Sequence, residues 1–458
     1  MLCRTAALAT VVMLTDGWRP ESIDSVDHDT LPVRCHWNDA ALADRCDVVL
    51  PAISASWQAQ VDRLGFHAPM PDDDGILDVY ITTDGTDGGA YVYGPFEDED
   101  TTDGRMGCHA YMALDPAISV ANLPSYVAHE FNHLIQFATD FTEPTLPVWE
   151  ATATAAEAWT LDDYSITGNY VRDFQTYPWM GILGDGYILW DDYEIWSYHE
   201  YGAGMWILHM DAVYGDGEGS VGPALWGAME QEGWDNEPDV LDAWAAVSGQ
   251  PWEDALIEFT VFRQLAGSSA APAAPADAAT VPWGLRPSLS VSATDLAVAS
   301  QELRPEPGVY ETGSWHVTVT GVTEDAPLDV TVGGGEGIRW AVVITDEAGN
   351  HEDGDPTGHT SALSGDLTVG VINLGEAGFD ADARIRATVP TVLLSTGGTD
   401  VPDDDEDTGI PDRPDPVEDD TPEAEGVGTK DDGGCSVGAV APWMVWWVPL
   451  AVVARRRQ

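Results

Sequence analysis

Two histidines that lie four residues apart constrain this chain of 458 residues more than any other feature. They occur in the stretch His129-Glu130-Phe131-Asn132-His133. On an α-helix, residues i and i+4 leave the same face, so both imidazoles can bind one metal ion. Glu130 follows the first histidine, where its carboxylate can take a proton from a metal-bound water. The stretch therefore predicts a metal-binding helix. The plain alternative is a surface helix that carries two histidines by chance.

The residues around the motif predict the helix that the motif needs. Pro124 suits the first turn of a helix, and apolar residues recur after it at helical spacing. The residues of this apolar stripe are Val127, Phe131, Leu134, Ile135 and Ala138. The two histidines lie roughly opposite the stripe. We therefore expect a helix that packs on one side and offers both imidazoles on the other.

A second predicted helix supplies a candidate for the third ligand. It opens at Pro147 and continues as an alanine-rich run, a composition that favours helix. Glu150 lies seventeen residues after His133, and two antiparallel helices would bring it beside the histidines. Two imidazoles, one carboxylate and a position for water are the arrangement of catalytic zinc. Glu157 has nearly the same helix face and is the alternative ligand; we favour Glu150 and expect Glu157 to support the site or orient substrate. Two exposed helix glutamates are the plain alternative.

These residues resemble the gluzincin class of zinc metallopeptidases, in which H-E-x-x-H is followed by a glutamate on the next helix. The resemblance covers best residues 125–215. Trp149-Glu150 followed by Glu157 is similar to the W-x-N-E-G-x-A helix of aminopeptidase type, although the asparagine is absent and Thr154 stands where some gluzincins have an acidic residue. More narrowly, the chain is similar to surface metalloproteases of myxobacterial type. The resemblance implies these roles: zinc ligands His129, His133 and Glu150, and general base Glu130.

A later segment offers a donor for the oxyanion of the reaction. Gluzincin aminopeptidases often have a Y-x-x-G segment that opens a helix, and its tyrosine donates a hydrogen bond to that oxyanion. Tyr201 with Gly204 fits this spacing, and a phenol suits a position where charge develops on oxygen. Tyr198 and His199 are nearby alternatives, and an ordinary aromatic helix start is the plain interpretation.

The composition is strongly acidic, with 79 acidic against 18 basic residues and a formal net charge of −61. Residues 400–434 contribute −13, so the remaining −48 is spread over the rest of the chain. Such a surface repels nucleic acid and anionic membranes and suits a secreted protein. The aspartates of Asp72–Gly75 with Asp78 could bind Ca²⁺. They lack the spacing of a helix-loop-helix calcium site, so we expect a solvated acidic turn instead.

The N-terminal residues predict export. A short apolar run over residues 6–14, after a single arginine, resembles a secretory signal peptide, which we assign to residues 1–19. Export favours oxidised cysteines. Apart from one cysteine near each end, the chain has Cys35, Cys46 and Cys108, so at most one disulfide forms among them. We favour Cys35 with Cys46, which would close a short loop.

The C-terminal residues predict an anchor at the cell surface. Residues 437–454 are free of charge and just long enough to span a bilayer, and three arginines follow that should stay on the cytoplasmic side. The acidic tether at 395–434 is too charged to fold. Tether, apolar segment and arginines resemble the C-terminal sorting tags of myxobacterial surface proteins. That resemblance implies Cys435 as a processing or lipid-attachment site. A plain tail anchor is the alternative.

Between the ends, the patterns predict an α+β fold with a gluzincin-like core. An amphipathic helix ends at Gly65, strands are expected over 76–83 and 108–114, and residues 160–266 are mainly helical. Short alternating runs over residues 308–389, with glycine- and aspartate-rich turns, predict a β-sandwich. The expected divisions are a signal peptide at 1–19, a zinc metallopeptidase domain at 20–266 that is rich in strands to about residue 118, a linker at 267–285, a β-sandwich at 286–394, a tether at 395–434 and a hydrophobic C-terminal anchor at 435–458.

The sequence thus predicts an exported, surface-anchored zinc peptidase that acts on peptide or protein substrates and binds no nucleic acid. Endopeptidase and aminopeptidase action both stay open. The rival hypothesis is a surface binding or adhesion protein that keeps the fold without turnover, although metal binding alone does not require Glu130. A structural zinc site is a third hypothesis. Such sites usually have a fourth protein ligand, often cysteine, and no cysteine lies near His129 in sequence.

Overall fold

The chain folds as an α+β protein, and a computed structural model describes much of it. The described residues are 12–13, 19–86, 88–94, 105–164, 167–195, 197–230, 238–266, 291–293, 301–378 and 386–396. The expected linker and C-terminal anchor, with Cys435, lie outside these residues, as do nearly all of the expected signal peptide and tether. Within the described residues, every helix is too short or too polar to cross a membrane.

A mixed sheet of six strands forms the first layer. Its strands are β1 (Val12–Met13), β2 (Asp24–Asp27), β3 (Val33–Trp37), β4 (Leu77–Ile81), β5 (Ala90–Gly94) and β6 (Tyr111–Leu114). Their order across the sheet is β1-β5-β6-β4-β3-β2. Strands β3, β4 and β6 are parallel, β2 runs antiparallel to β3, and β5 runs antiparallel to β6 but parallel to β1. The strands expected over 76–83 and 108–114 are thus present, but both are shorter than the apolar pattern suggests.

Three helices pack on or beside this sheet. Helix α1 (Ala43–Ser56) continues through a π-helical stretch (Trp57–Arg63) and stops before Gly65, where φ is +86° and a glycine is favoured. Helix α1 contacts β3, and the Cys35–Cys46 disulfide joins the two, which is the expected pairing. Helix α2 (Leu123–Asp140) packs on β5, β6 and α1, and helix α3 (Leu146–Leu161) packs on α2.

The histidine face of α2 is buried, which excludes the alternative of a surface helix. Every residue of α2 from Val127 to Asp140 is buried. Helix α2 packs on α1, β5 and β6, and α3 covers the side that carries the histidines. Helix α3 can approach closely because much of it is alanine, and all of its residues from Pro147 to Trp159 are buried. The two imidazoles therefore lie in an interior between two helices rather than on a surface.

The expected helical region continues to Leu265. Its helices are α4 (Thr167–Thr176), α5 (Gly186–Tyr193), α6 (His199–Gly202), α7 (Gly204–Tyr214), α8 (Val221–Met229), α9 (Val240–Ser248) and α10 (Trp252–Leu265). Helices α6 and α7 pack on α3, and α4 packs on α6. This arrangement brings α4 and α6 to the side of α3 that carries its glutamates.

Short strands make up the C-terminal part. They are β7 (Val291–Ala293), β8 (Gln301–Leu303), β9 (Val309–Tyr310), β10 (Ser314–Val322), β11 (Leu328–Gly333), β12 (Ile338–Asp346), β13 (His351–Gly354), β14 (His359–Thr360), β15 (Gly365–Glu376), β16 (Ala387–Thr388) and β17 (Thr391–Thr396). One sheet has the order β13-β12-β15-β10-β7 and another the order β14-β11-β17-β8. Side chains from both sheets share one apolar core, which is a β-sandwich arrangement. The first sheet also packs on α10, so this part contacts the helical region directly.

Candidate metal centre

Helices α2 and α3 lie antiparallel, as the sequence predicts. Near the end of α2, Gln136 Nε2 donates to the Trp149 carbonyl oxygen at 3.0 Å. Near the start of α2, the Ser125 hydroxyl donates to the Glu157 carboxylate. Positions that ascend along α2 therefore meet positions that descend along α3. The short connection between the helices makes this hairpin the simplest arrangement.

Three ligand atoms converge between the two helices. His129 Nε2 lies 3.1 Å from Glu150 Oε2 and 3.2 Å from His133 Nε2, and His133 Nε2 lies 3.5 Å from Glu150 Oε2. Tetrahedral ligand atoms at about 2.0–2.1 Å from zinc lie about 3.3 Å apart. His129, His133 and Glu150 are all buried and could together hold a metal ion.

Each histidine has a second partner on its other ring nitrogen. His129 Nδ1 lies 3.8 Å from Glu157 Oε2, and His133 Nδ1 lies 2.6 Å from Gln136 Oε1. These contacts turn both Nε2 atoms toward Glu150. Glu157, the alternative ligand, thus lies behind His129, while Glu150 is the glutamate within the ligand group.

Opposite charges face each other at this centre. Burial would raise the pKa of Glu150, but His133 and His129 outweigh it and lower the pKa to about 2. Burial would lower the pKa of His129, but hydrogen bonds with Glu150 and Glu157 raise it to about 10. Without metal, His129 and Glu150 are therefore an ion pair, and a metal ion must displace the proton from His129.

Glu130 is a buried carboxylate whose oxygens are not used by the fold. It is 0% exposed, and neither oxygen has a hydrogen-bond partner in the part of the chain that the structure describes. Burial raises the pKa of Glu130 to about 7, against the opposing effect of His133 and His129. Buried polar groups are rarely left without partners, so this carboxylate is a candidate for chemistry.

Tyr201 completes the wall of a small cavity at the centre. The cavity has a volume of about 30 Å³, enough for a water molecule. Its lining residues are Ser125, Tyr126, His129, Glu130, Glu157, Tyr170 and Tyr201. The Tyr201 ring stacks on the His129 ring with centroids 5.6 Å apart. Burial raises the Tyr201 pKa well above its usual value, so the phenol stays protonated and can donate.

Neither alternative to Tyr201 lines the cavity. His199 Nε2 lies 2.8 Å from the Gly181 carbonyl oxygen, and burial lowers the His199 pKa to about 3. The Tyr198 ring meets the Tyr201 ring edge-on with centroids 5.8 Å apart. Of these three neighbouring side chains, Tyr201 is the one that lines the cavity.

Two residues of the centre, Tyr170 and Gln136, are absent from the site that the sequence predicts. Tyr170 of α4 lines the cavity, with its ring 5.3 Å from that of Tyr201. Its place depends on how α4 packs, which periodicity does not reveal. Gln136 could be found from the sequence, because a residue three positions after His133 lies on the same helix face.

The acidic turn expected at Asp72–Gly75 is present, and Asp73 and Asp74 in it are exposed. Arg19 forms ion pairs of 2.7 Å with both Asp72 and Asp78, and Arg34 lies 3.1 Å from Asp74. Arginines thus offset part of the negative charge of the turn. Among the described residues, these aspartates do not belong to a group that could hold a metal ion, so the structure gives Ca²⁺ no support here.

Comparison with known proteins adds no relative: no family model matches the sequence, and neither does any curated protein.

Proposed function

We propose that this chain is a zinc-dependent peptidase of gluzincin type, exported and anchored at the cell surface. The observation that carries the proposal is the ligand triangle of His129, His133 and Glu150 beside Glu130, a buried carboxylate that the fold does not use. A site that only bound metal would need the triangle but not this carboxylate.

The donor set fits zinc. Two imidazole nitrogens and one carboxylate oxygen are typical zinc donors, and three protein ligands leave a position for water. The cavity next to His129 has room for that water. When bound, zinc would polarise the scissile carbonyl and lower the pKa of the attacking water toward neutrality.

Two side chains of this protein would then complete the chemistry. Glu130 would take the proton of the attacking water and deliver it to the leaving amine. Its buried position keeps the carboxylate basic enough for this transfer. Tyr201 would donate a hydrogen bond to the developing oxyanion, since its phenol stays protonated.

Two further properties support export and disfavour nucleic acid as a partner. The Cys35–Cys46 disulfide is typical of an oxidising compartment. The net charge of −61 disfavours nucleic acid as a partner. The C-terminal segment would hold the protein at the membrane.

The test compares the full-length protein with its Glu130→Gln variant. The wild type should contain about one zinc ion per chain and cleave a denatured protein. Glu130→Gln should keep the zinc and lose activity by about 10²–10⁴-fold. The matched control is Glu324→Gln, which changes an exposed glutamate in a turn of the sandwich and should keep full activity.

Three results would count against the proposal. A wild type without bound zinc, or a Glu130→Gln variant with full activity, would exclude it. A zinc-loaded wild type that cleaves none of a diverse set of peptides would favour the surface binding protein instead. If cleavage occurs, the new termini in a peptide-library digest separate exopeptidase from endopeptidase action.

A further inference from the structure

Three buried amide side chains form a continuous hydrogen-bonded row that ends at a metal-ligand candidate. The row consists of Gln60, Asn132 and Gln136, all 0% exposed, and we call it the amide row. It begins in the π-helical stretch after α1, crosses α2 and ends at His133. A fully buried row of this kind has to satisfy every donor and acceptor, so its direction carries information.

Backbone carbonyls fix the direction of the row at both ends. Gln60 Nε2 donates to the Ala128 carbonyl oxygen at 2.8 Å, which leaves Gln60 Oε1 to accept from Asn132 Nδ2 at 3.1 Å. Gln136 Nε2 donates to the Trp149 carbonyl oxygen at 3.0 Å and to Asn132 Oδ1 at 2.9 Å. Turning the Gln136 amide over would set its oxygen against two other acceptor oxygens, so the assignment is unambiguous.

The direction determines which nitrogen of His133 carries hydrogen. Gln136 Oε1 lies 2.6 Å from His133 Nδ1, and an amide oxygen can only accept. Nδ1 must therefore hold a hydrogen, which leaves Nε2 as the nitrogen that can bind a metal ion. We propose that Gln136, oriented by the amide row, is a positioning residue that holds His133 in the tautomer required for metal binding. This inference rests on the metal binding in the proposed function.

The partner of His133 is neutral, whereas the partner of His129 is the Glu157 carboxylate. The centre already buries Glu130, Glu150 and Glu157. A further anion beside His133 would add repulsion and a desolvation cost. An amide orients the ring without adding charge, which explains why an uncharged side chain suits this position.

The experiment measures zinc affinity of the full-length protein by competition with a chelator, and the visible spectrum of the Co²⁺ form. Gln136→Met keeps the volume but loses the acceptor, and should weaken zinc binding by about 10–100-fold and change the Co²⁺ spectrum. Gln136→Glu keeps an acceptor for Nδ1 and should recover most of the zinc affinity, but it loses the amide donor and buries an anion, so its melting temperature should fall. Ile135→Ala, a fully buried residue of the apolar stripe, is the stability control and should lower the melting temperature while leaving zinc affinity unchanged.

Wild-type affinity in Gln136→Met, or equal weakening in Ile135→Ala, would overturn the inference. Should Gln136→Met not fold, ¹⁵N NMR of the wild-type histidines still decides, because a His133 ring with hydrogen on Nε2 and none on Nδ1 contradicts the assignment. The two proposals fail in different ways. If Gln136→Met weakens zinc binding in a protein that has no peptidase activity, the positioning role is supported and the proposed function is refuted. If the protein cleaves peptides and Gln136→Met leaves its zinc affinity unchanged, the proposed function is supported and the positioning role is refuted.

Discussion

The interior between α2 and α3 buries ionisable side chains, whereas the interior of the β-sandwich buries apolar ones. Between the helices lie buried ionisable side chains, namely His129, Glu130, His133, Glu150 and Glu157. Between the two sheets lies a core of valine, leucine, isoleucine and tryptophan. Burial of apolar surface contributes about 25 cal/mol per Å², whereas buried charges cost free energy unless they are well paired. The sandwich interior therefore stabilises the protein, and the α2–α3 interior is stabilised by the rest of the protein.

The largest effect that tests this comparison is a cavity in the sandwich. Ile344 of β12 is fully buried in the core between the sheets, and Ile344→Ala should cost about 2–5 kcal/mol in the free energy of unfolding. Zinc affinity should change less than about twofold, because distant sites act independently. Urea unfolding and chelator competition measure the two quantities.

Leu393→Ala is the control for that variant, since Leu393 is 41% exposed on β17 and its loss should change stability by only about 0.5 kcal/mol. A fall in zinc affinity that follows the loss of stability in Ile344→Ala would contradict the comparison. It would mean that the two interiors unfold together and that zinc binding depends on the stability of both.

A smaller effect of opposite sign is expected between the helices. In the metal-free protein, Glu130→Gln removes a charge from a side chain that has no hydrogen-bond partner within the described residues. Relief of that desolvation should raise the free energy of unfolding by about 1–3 kcal/mol. Melting curves in the presence of a chelator measure the change, with Glu324→Gln as the exposed control. A less stable Glu130→Gln protein would show that the carboxylate supports the fold.

The same contrast explains which parts of the site the sequence could predict. Spacing along a helix is local, so His129, His133 and Glu150 could be assigned to one centre from periodicity and a short helical hairpin. Glu157 was the alternative because it shares the face of Glu150. The choice depends on the side of His129 that each glutamate meets, and this follows from side-chain packing.

What the sequence could not predict depends on how distant elements pack. The sequence predicts that α3 lies beside α2, but not that every residue of α2 from Val127 to Asp140 is buried. Tyr170 reaches the cavity only because α4 packs on α6. Likewise, the alternating runs of the C-terminal part predict strands, but not that one sheet would pack on α10. Periodicity describes which face of an element is apolar, and it leaves open what covers each face.

The contact between α10 and the sandwich should respond to pH. Gln264 Nε2 of α10 donates to His316 Nδ1 of β10 at 3.0 Å. Burial, with a smaller effect of the positive Arg263, lowers the pKa of His316 to about 3. An unfolded histidine has a pKa of about 6.5, so the unfolded chain binds a proton that the folded protein excludes. Stability should therefore fall as the pH falls from about 6.5 toward 3, by about 1.4 kcal/mol per pH unit for this group.

His316→Asn keeps an acceptor for Gln264 but does not titrate, so the pH dependence of its stability should be shallower than that of the wild type by that amount. Urea unfolding between about pH 7 and pH 5 measures the slope. His351→Asn, at an exposed position of β13, should keep the wild-type slope. If the free energy of unfolding depends on pH equally in all three proteins, His316 accepts a proton without disturbing the contact. The contact would then tolerate charge, as the interior between α2 and α3 does and the sandwich core does not. If only His316→Asn has a shallower dependence of stability on pH, the α10–β10 contact excludes a proton in the folded protein, as expected where a polar contact meets the apolar sandwich core.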